Sequence, residues 1–231
     1  MSALLTETET DISRDVVIPA GGVNLGGELI VSNRAAGVVL FAHGSGSSRH
    51  SPRNQFVARA IREAGVGTLL LDLLTLEEET FDSYTGHLRF DIGLLARRLV
   101  HATDWLATQK QTRELAVGYF GASTGGGAAL VAAAELRNRV GAIVSRGGRP
   151  DLAGPALPFV EAPTLLIVGG NDYPVIEMNA AALAQLRCEK QMKIVPGATH
   201  LFEEPGALEE VARLAANWFV KHLKKSKEHV T

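Results

Sequence analysis

The chain has 231 residues, long enough for one α/β domain with a substantial core and short for two. Hydrophobic residues make up 46%, charged residues 21%, and the formal net charge is −2, so no basic face points to a nucleic-acid partner. A single cysteine, Cys188, excludes an internal disulfide and any cysteine-built metal site.

Residues 1–13 are polar and acidic, with no positively charged leader and no long apolar run, and read as a loose tail. No stretch reaches the length of a membrane span, so no membrane contact is expected. A reducing, cytoplasmic setting is the expectation. Residues 14–231 are then read as one domain.

Asp15–Pro19 and Val23–Val31 are β-rich runs separated by Ala20-Gly21-Gly22, which predicts an antiparallel hairpin at a sheet edge. Gly37–Ala42 is continuously apolar, as a strand covered on both faces must be. His43-Gly44-Ser45-Gly46 follows. Ser51-Pro52 supplies a cap and a first helical position for a helix reaching about Ala64. Thr68–Leu73 reads as the next strand. Leu74–Gly86 carries Glu77-Glu78-Glu79 with no clear period and is predicted to be a loop over the active face. Leu88–Thr108 reads as one long helix, with Ile92, Leu95, Leu99 and Leu106 at helical spacing.

Strands are expected at 115–120, 140–145, 164–168 and 191–195, and helices at 123–136, 175–186 and 207–223. This alternation predicts a doubly wound, mostly parallel sheet with helices on both faces. In such a sheet the functional groups sit at the carboxyl ends of the strands. The lysines near the end of the chain read as a solvated helix terminus and are given no function.

Four of these strand ends carry chemistry. Gly121-Ala122-Ser123-Thr124-Gly125 lies between a strand and a helix and has the Gly-x-Ser-x-Gly pattern of a nucleophile elbow. Asp172 follows a later strand and His200 the last one. Serine alone is a poor nucleophile; it needs an imidazole to take its proton and a carboxylate to hold that imidazole. Neighbouring Asn171 and Glu177 are rivals for the place of Asp172. The oxyanion would be met by the backbone amides of Thr124 and of Ser45, with Gly46 as an alternative to Ser45. Arg49 and Arg146 stand near the same edge, where a guanidinium could hold an anionic substrate group, or could pair with acids of the rim.

Gly121-Ala122-Ser123-Thr124-Gly125-Gly126, Gly169-Gly170-Asn171-Asp172-Tyr173-Pro174-Val175 and Gly197-Ala198-Thr199-His200-Leu201-Phe202 together resemble the α/β-hydrolases of the dienelactone-hydrolase-like group. The resemblance spans about residues 15–222. It implies Ser123 as nucleophile, His200 as general base and Asp172 as its orienting acid. One departure is that dienelactone hydrolase itself uses a cysteine nucleophile, which here favours a general ester or acyl substrate. The expected activity is hydrolysis of a carboxylic ester, thioester or lactone, without metal or other cofactor. The substrate would be a small molecule, possibly anionic. Acyl transfer or perhydrolysis on the same residues, or ligand binding without catalysis, are the alternatives. No large cap domain is inserted, and the sequence leaves the oligomeric state open.

Overall fold

The computed structural model describes residues 12–223. Among these, eight strands form one sheet: β1 (Ile12–Ala20), β2 (Val23–Val31), β3 (Gly37–Ala42), β4 (Gly67–Leu71), β5 (Ala116–Ala122), β6 (Val140–Arg146), β7 (Thr164–Gly169) and β8 (Lys190–Val195). Their order across the sheet is β1-β2-β4-β3-β5-β6-β7-β8. The first two form the predicted antiparallel hairpin, turned by Gly21 and Gly22, both at positive φ. β2 also runs antiparallel to β4. From β4 to β8 every pairing is parallel. Ile12 and Ser13, read as tail from the sequence, belong to β1; residues 1–11 lie outside the described part. No described helix is long and apolar enough to cross a membrane.

The helices are α1 (Pro52–Glu63), α2 (Leu76–Thr85), α3 (Ile92–Thr108), α4 (Thr124–Leu136), α5 (Tyr173–Gln185) and α6 (Ala207–His222). The pleat sends alternate residues of each central strand to opposite faces. Val38, Leu40 and Ala42 join the core under α3, α4 and α5, with Leu99, Leu130 and Ala182. Val39 and Phe41 join the core under α1 and α6, with Ile61 and Phe219. The rings of Phe41 and Phe120 lie 4.8 Å apart. Each such fully buried side chain contributes roughly 1.5–3 kcal/mol. Tyr119 is buried on the opposite face, in the core with Leu40 and Leu99, and its hydroxyl is satisfied by Thr103 at 2.5 Å.

Two segments differ from the sequence expectation. The supposed loop 74–86 contains helix α2. Its period is hidden because Leu76, Phe81 and Tyr84 are exposed while Glu78, Glu79 and Asp82 face inward. A capping box starts it: Thr75 Oγ1 accepts from the Glu78 amide at 3.1 Å, and Glu78 Oε2 accepts from the Thr75 amide at 2.8 Å. Gly86 ends it in the left-handed region, at φ 67°. Leu88–Thr108 is not one helix either. A 3₁₀ turn at Leu88–Phe90 precedes α3, which begins where Asp91 Oδ1 accepts from the Leu94 amide. The rim after β6 is a 3₁₀ segment, Pro150–Phe159, kinked at Gly154.

α2 is bound to the body by charge. Arg98 of α3 donates to Glu78 at 2.7 Å and to the Ala20 carbonyl at 2.7 Å, joining α2, α3 and the hairpin. The Thr75→Ala substitution removes one half of the capping box. It is expected to lower stability by about 1 kcal/mol in urea unfolding. A loss indistinguishable from zero would mean that α2 is held only by its ion pairs.

Candidate active site

The sheet order reverses direction between β3 and β5, and ligands of open α/β sheets bind at the carboxyl ends beside such a point. The elbow between β5 and α4 lies there. A methyl group on Gly121 would sit 2.5 Å from the Gly125 oxygen, and one on Gly125 would overlap the carbonyl oxygen of Ala42 in β3. Only hydrogen fits at either place. Between them Ser123 is held at φ 51°, ψ −122°, a conformation that costs a residue with a side chain roughly 1–3 kcal/mol. Its backbone is gripped on both sides: the Ser123 amide donates to Arg146 O at 3.2 Å, and Ser123 O accepts from the Arg149 amide at 3.0 Å.

Asp172 and His200 arrive from the ends of β7 and β8. His200 Nδ1 lies 2.7 Å from Asp172 Oδ2, so the sequence-predicted pair meets. Asp172 is three-quarters or more shielded (13% exposed side chain), while His200 is 39% exposed. Glu177 makes no such contact. Asn171 locks the two loops together instead: its amide N–H donates to Ala198 O, and its side chain donates to Gly197 O at 2.9 Å. Gly147 packs directly beneath His200, where a methyl would meet the imidazole Nδ1 at 3.5 Å.

A buried side chain absent from the sequence reading ties the acid to the elbow. Asn179, two turns into α5 and fully buried, donates to Val175 O at 2.8 Å and to Gly148 O at 3.0 Å. α5 starts immediately after Asp172, and the Gly147–Arg149 loop grips Ser123. Nothing in the sequence period singles out Asn179, since it shares a face with apolar Val175 and Ala182.

On the other side of Ser123 stands the loop after β3. A methyl on Gly44 would lie 3.0 Å from Ser123 Cβ. Ser45 Oγ and Thr124 Oγ1 are 3.1 Å apart, which brings the two residues expected to supply oxyanion amides side by side. His43 is structural: Nδ1–H donates to Gly44 O at 3.0 Å, and Nε2 accepts from the Leu73 amide at 3.0 Å. Burial holds its pKa below the ordinary imidazole value, against smaller opposing effects of the Gly44 bond and the Asp72 charge.

Of the two arginines that could hold an anion or pair with acids of the rim, one pairs and the other is buried. Arg49 is ion-paired with Asp72, which also accepts from the Arg49 amide at 2.8 Å. Arg146 is 7% exposed and lies inside the protein rather than on the rim. Burial, and then the nearby charge of Arg53, lower its pKa to about 10. Neither lines the cavity beside the elbow. That cavity, of about 420 Å³, lies between the β3 loop and α2. Among the described residues no group of His, Cys, Asp or Glu gathers as metal ligands would.

This sheet and elbow define an α/β-hydrolase. The dienelactone hydrolase family profile matches residues 33–226, and the chain belongs to that family. Dienelactone hydrolase from Anabaena variabilis is 62% identical, with a TM-score of 0.91 over 94% of this chain and all of that one. Est1E from Butyrivibrio proteoclasticus shares the fold at 16% identity, with a TM-score of 0.73 over 90% of this chain and 98% of its own. Two Mycobacterium tuberculosis proteins, from strains CDC 1551 / Oshkosh and H37Rv, are 59% identical over 209 residues; both are named "Putative phosphoribosyl transferase". The match covers 90% of this chain and 46% of theirs, so the chain spans about half the length of these curated relatives.

His43 generates a prediction about pH. The unfolded chain protonates this imidazole near pH 6.5, and the folded chain only at lower pH. The stability it contributes is therefore complete above about pH 7 and is lost as pH falls below 6.5 toward the folded value, with a slope of at most about 1.4 kcal/mol per unit. Urea midpoints from pH 8 to 5 are expected to fall less steeply in His43→Gln than in wild type. Identical slopes would show that His43 can be protonated in place.

Proposed function

We propose that this protein hydrolyses carboxylic esters, thioesters or lactones through an acyl-enzyme on Ser123. The observation that carries the reading is the Asp172–His200 bond of 2.7 Å beside a serine held at φ 51° on a strand-to-helix turn. His200 Nδ1–H donates to Asp172, which leaves Nε2 as the acceptor for the Ser123 proton. Oγ then attacks the carbonyl carbon. The amides of Ser45 and Thr124 receive the oxyanion, and the Thr124 amide is free of an intrahelical partner because it opens α4. On collapse, the bond to the leaving alcohol or thiol breaks and His200 returns the proton to it. Water, deprotonated by the same imidazole, then releases the acid and restores Ser123.

The 62% identity to a dienelactone hydrolase over all of that chain supports the ester-bond class. The phosphoribosyl transferase name of the mycobacterial relatives is not carried over. The matched residues are less than half of those proteins, and here they hold the serine, histidine and aspartate arrangement. Acyl transfer or perhydrolysis remains the second reading, favoured by the exposure of His200, which leaves room for a nucleophile other than water. Product partition among water, methanol and peroxide separates these outcomes.

A fluorophosphonate probe is expected to label wild type on Ser123 and to leave Ser123→Ala unlabelled, with ester turnover falling at least about 10³-fold in the variant. Asp172→Asn should keep the fold and lower kcat by on the order of 10³–10⁴, because the imidazole loses the partner that sets its tautomer. Equal labelling of wild type and Ser123→Ala would remove Ser123 as the nucleophile.

A further inference from the structure

The cavity of about 420 Å³ falls in the size range of small-molecule sites and opens beside the elbow. Gly44, Ser45 and Thr124 form its inner wall, and Gly44 abuts Ser123. Leu73, Leu74 and Leu95 give it an apolar side. The opposite wall is α2, whose Glu79, Asp82 and Ser83 all line the cavity. The spacing i, i+3, i+4 places these three on one helix face.

The charges around this cavity are mostly spent. Arg89 Nε donates to Asp82 Oδ2 at 2.5 Å and its Nη2 to Asp82 O at 2.7 Å, so the two neutralise each other in place. Asp82 also accepts from the Leu88 amide at 2.6 Å. Asp72, at the end of β4, is paired with Arg49. His43 is neutral, with both ring nitrogens occupied. Glu79 differs: among the described residues its half-buried carboxylate has no hydrogen bond and no ion pair. Burial raises its pKa, the Asp72 charge raises it further, and Arg89 opposes them without bonding to it. A ligand that fills the cavity takes water away from this carboxylate, so a ligand that brings a donor is favoured over one that does not. A second carboxylate placed there would meet repulsion in a partly desolvated site. An ammonium would pair with Glu79 only at the cost of its own desolvation, which a neutral hydroxyl donor largely avoids. Ser45, Ser47 and Ser48 line the same cavity, and such a polar lining suits a polar, uncharged occupant.

We propose that this cavity is the specificity pocket of the enzyme, and that Glu79 makes it take a neutral, hydroxyl-bearing part of the substrate and reject a carboxylate. The inference rests on Ser123 being the nucleophile of an ester hydrolase, and it adds the substrate class.

The test uses p-nitrophenyl esters of three six-carbon acids ending in methyl, hydroxyl or carboxylate, and a matching series of acetate esters with the variable group on the alcohol side. In the series whose variable group enters the cavity, wild type should prefer the hydroxyl ester to the carboxylate ester by about tenfold or more in kcat/KM. Glu79→Gln and Glu79→Ala should each raise the carboxylate-to-methyl ratio about tenfold. Glu77→Gln, on the exposed face of the same helix, should leave that ratio as in wild type. A wild-type preference for the carboxylate ester, or ratios unchanged by both Glu79 substitutions in both series, overturns the proposal while labelled Ser123 keeps the hydrolase reading. No turnover of any ester together with an unlabelled Ser123 removes both.

Discussion

The arrangement depends on one contact, the approach of the first turn of α4 to the ends of β3 and β5. Gly121 and Gly125 meet backbone where any side chain would collide, so strand and helix close to a distance that ordinary residues forbid. That closeness turns the chain sharply enough to force Ser123 to φ 51°. The strain is offset by the surrounding structure: the Ser123 amide and carbonyl are both bonded to the chain around Arg146 and Arg149. A conformation unfavourable for a lone serine is thus imposed by a sheet that would have to come apart to relax it.

The same loop after β6 carries the restraint outward. Gly147 supports the ring of His200, and Gly148 accepts from Asn179 of α5, the helix that begins beside Asp172. Asn171 closes the circuit by bonding to the backbone before His200. The three groups proposed for the chemistry come from three strand ends, yet short backbone links connect them. The geometry is therefore set by main-chain hydrogen bonds and packing more than by the side chains that would react.

How much of this was legible depends on whether the governing force leaves a pattern. Strands such as Gly37–Ala42 were legible because a strand covered on both faces must be apolar throughout. The elbow was legible because steric exclusion leaves glycines at fixed spacing. Helix α2 was not, because its apolar residues point to solvent and its inner face is acidic, so hydrophobic periodicity had nothing to report. The readable signal was of another kind: Thr75-x-x-Glu78 is a capping box, and Gly86 closes the helix. Asn179 left no trace at all, since burial of a polar side chain is decided by a carbonyl 31 residues away.

Charge is where sequence proximity misleads most. Arg49 and Arg146 follow strands at the active edge, and from that position alone they suggest an anion site. Their surroundings reverse the inference. Asp72, one residue beyond β4, lies beside β3's loop and takes Arg49. Arg146, the last residue of β6, is buried as Ser145 before it is, because this strand is covered on both faces. Arg89 is consumed by Asp82 seven residues before it. Once each cation is assigned its partner or its burial, the charge left unpaired at the cavity is that of Glu79. Polarity follows from which charges remain uncompensated after folding, and along the lining of this cavity that sign is negative, although the arginines near the edge suggested the opposite.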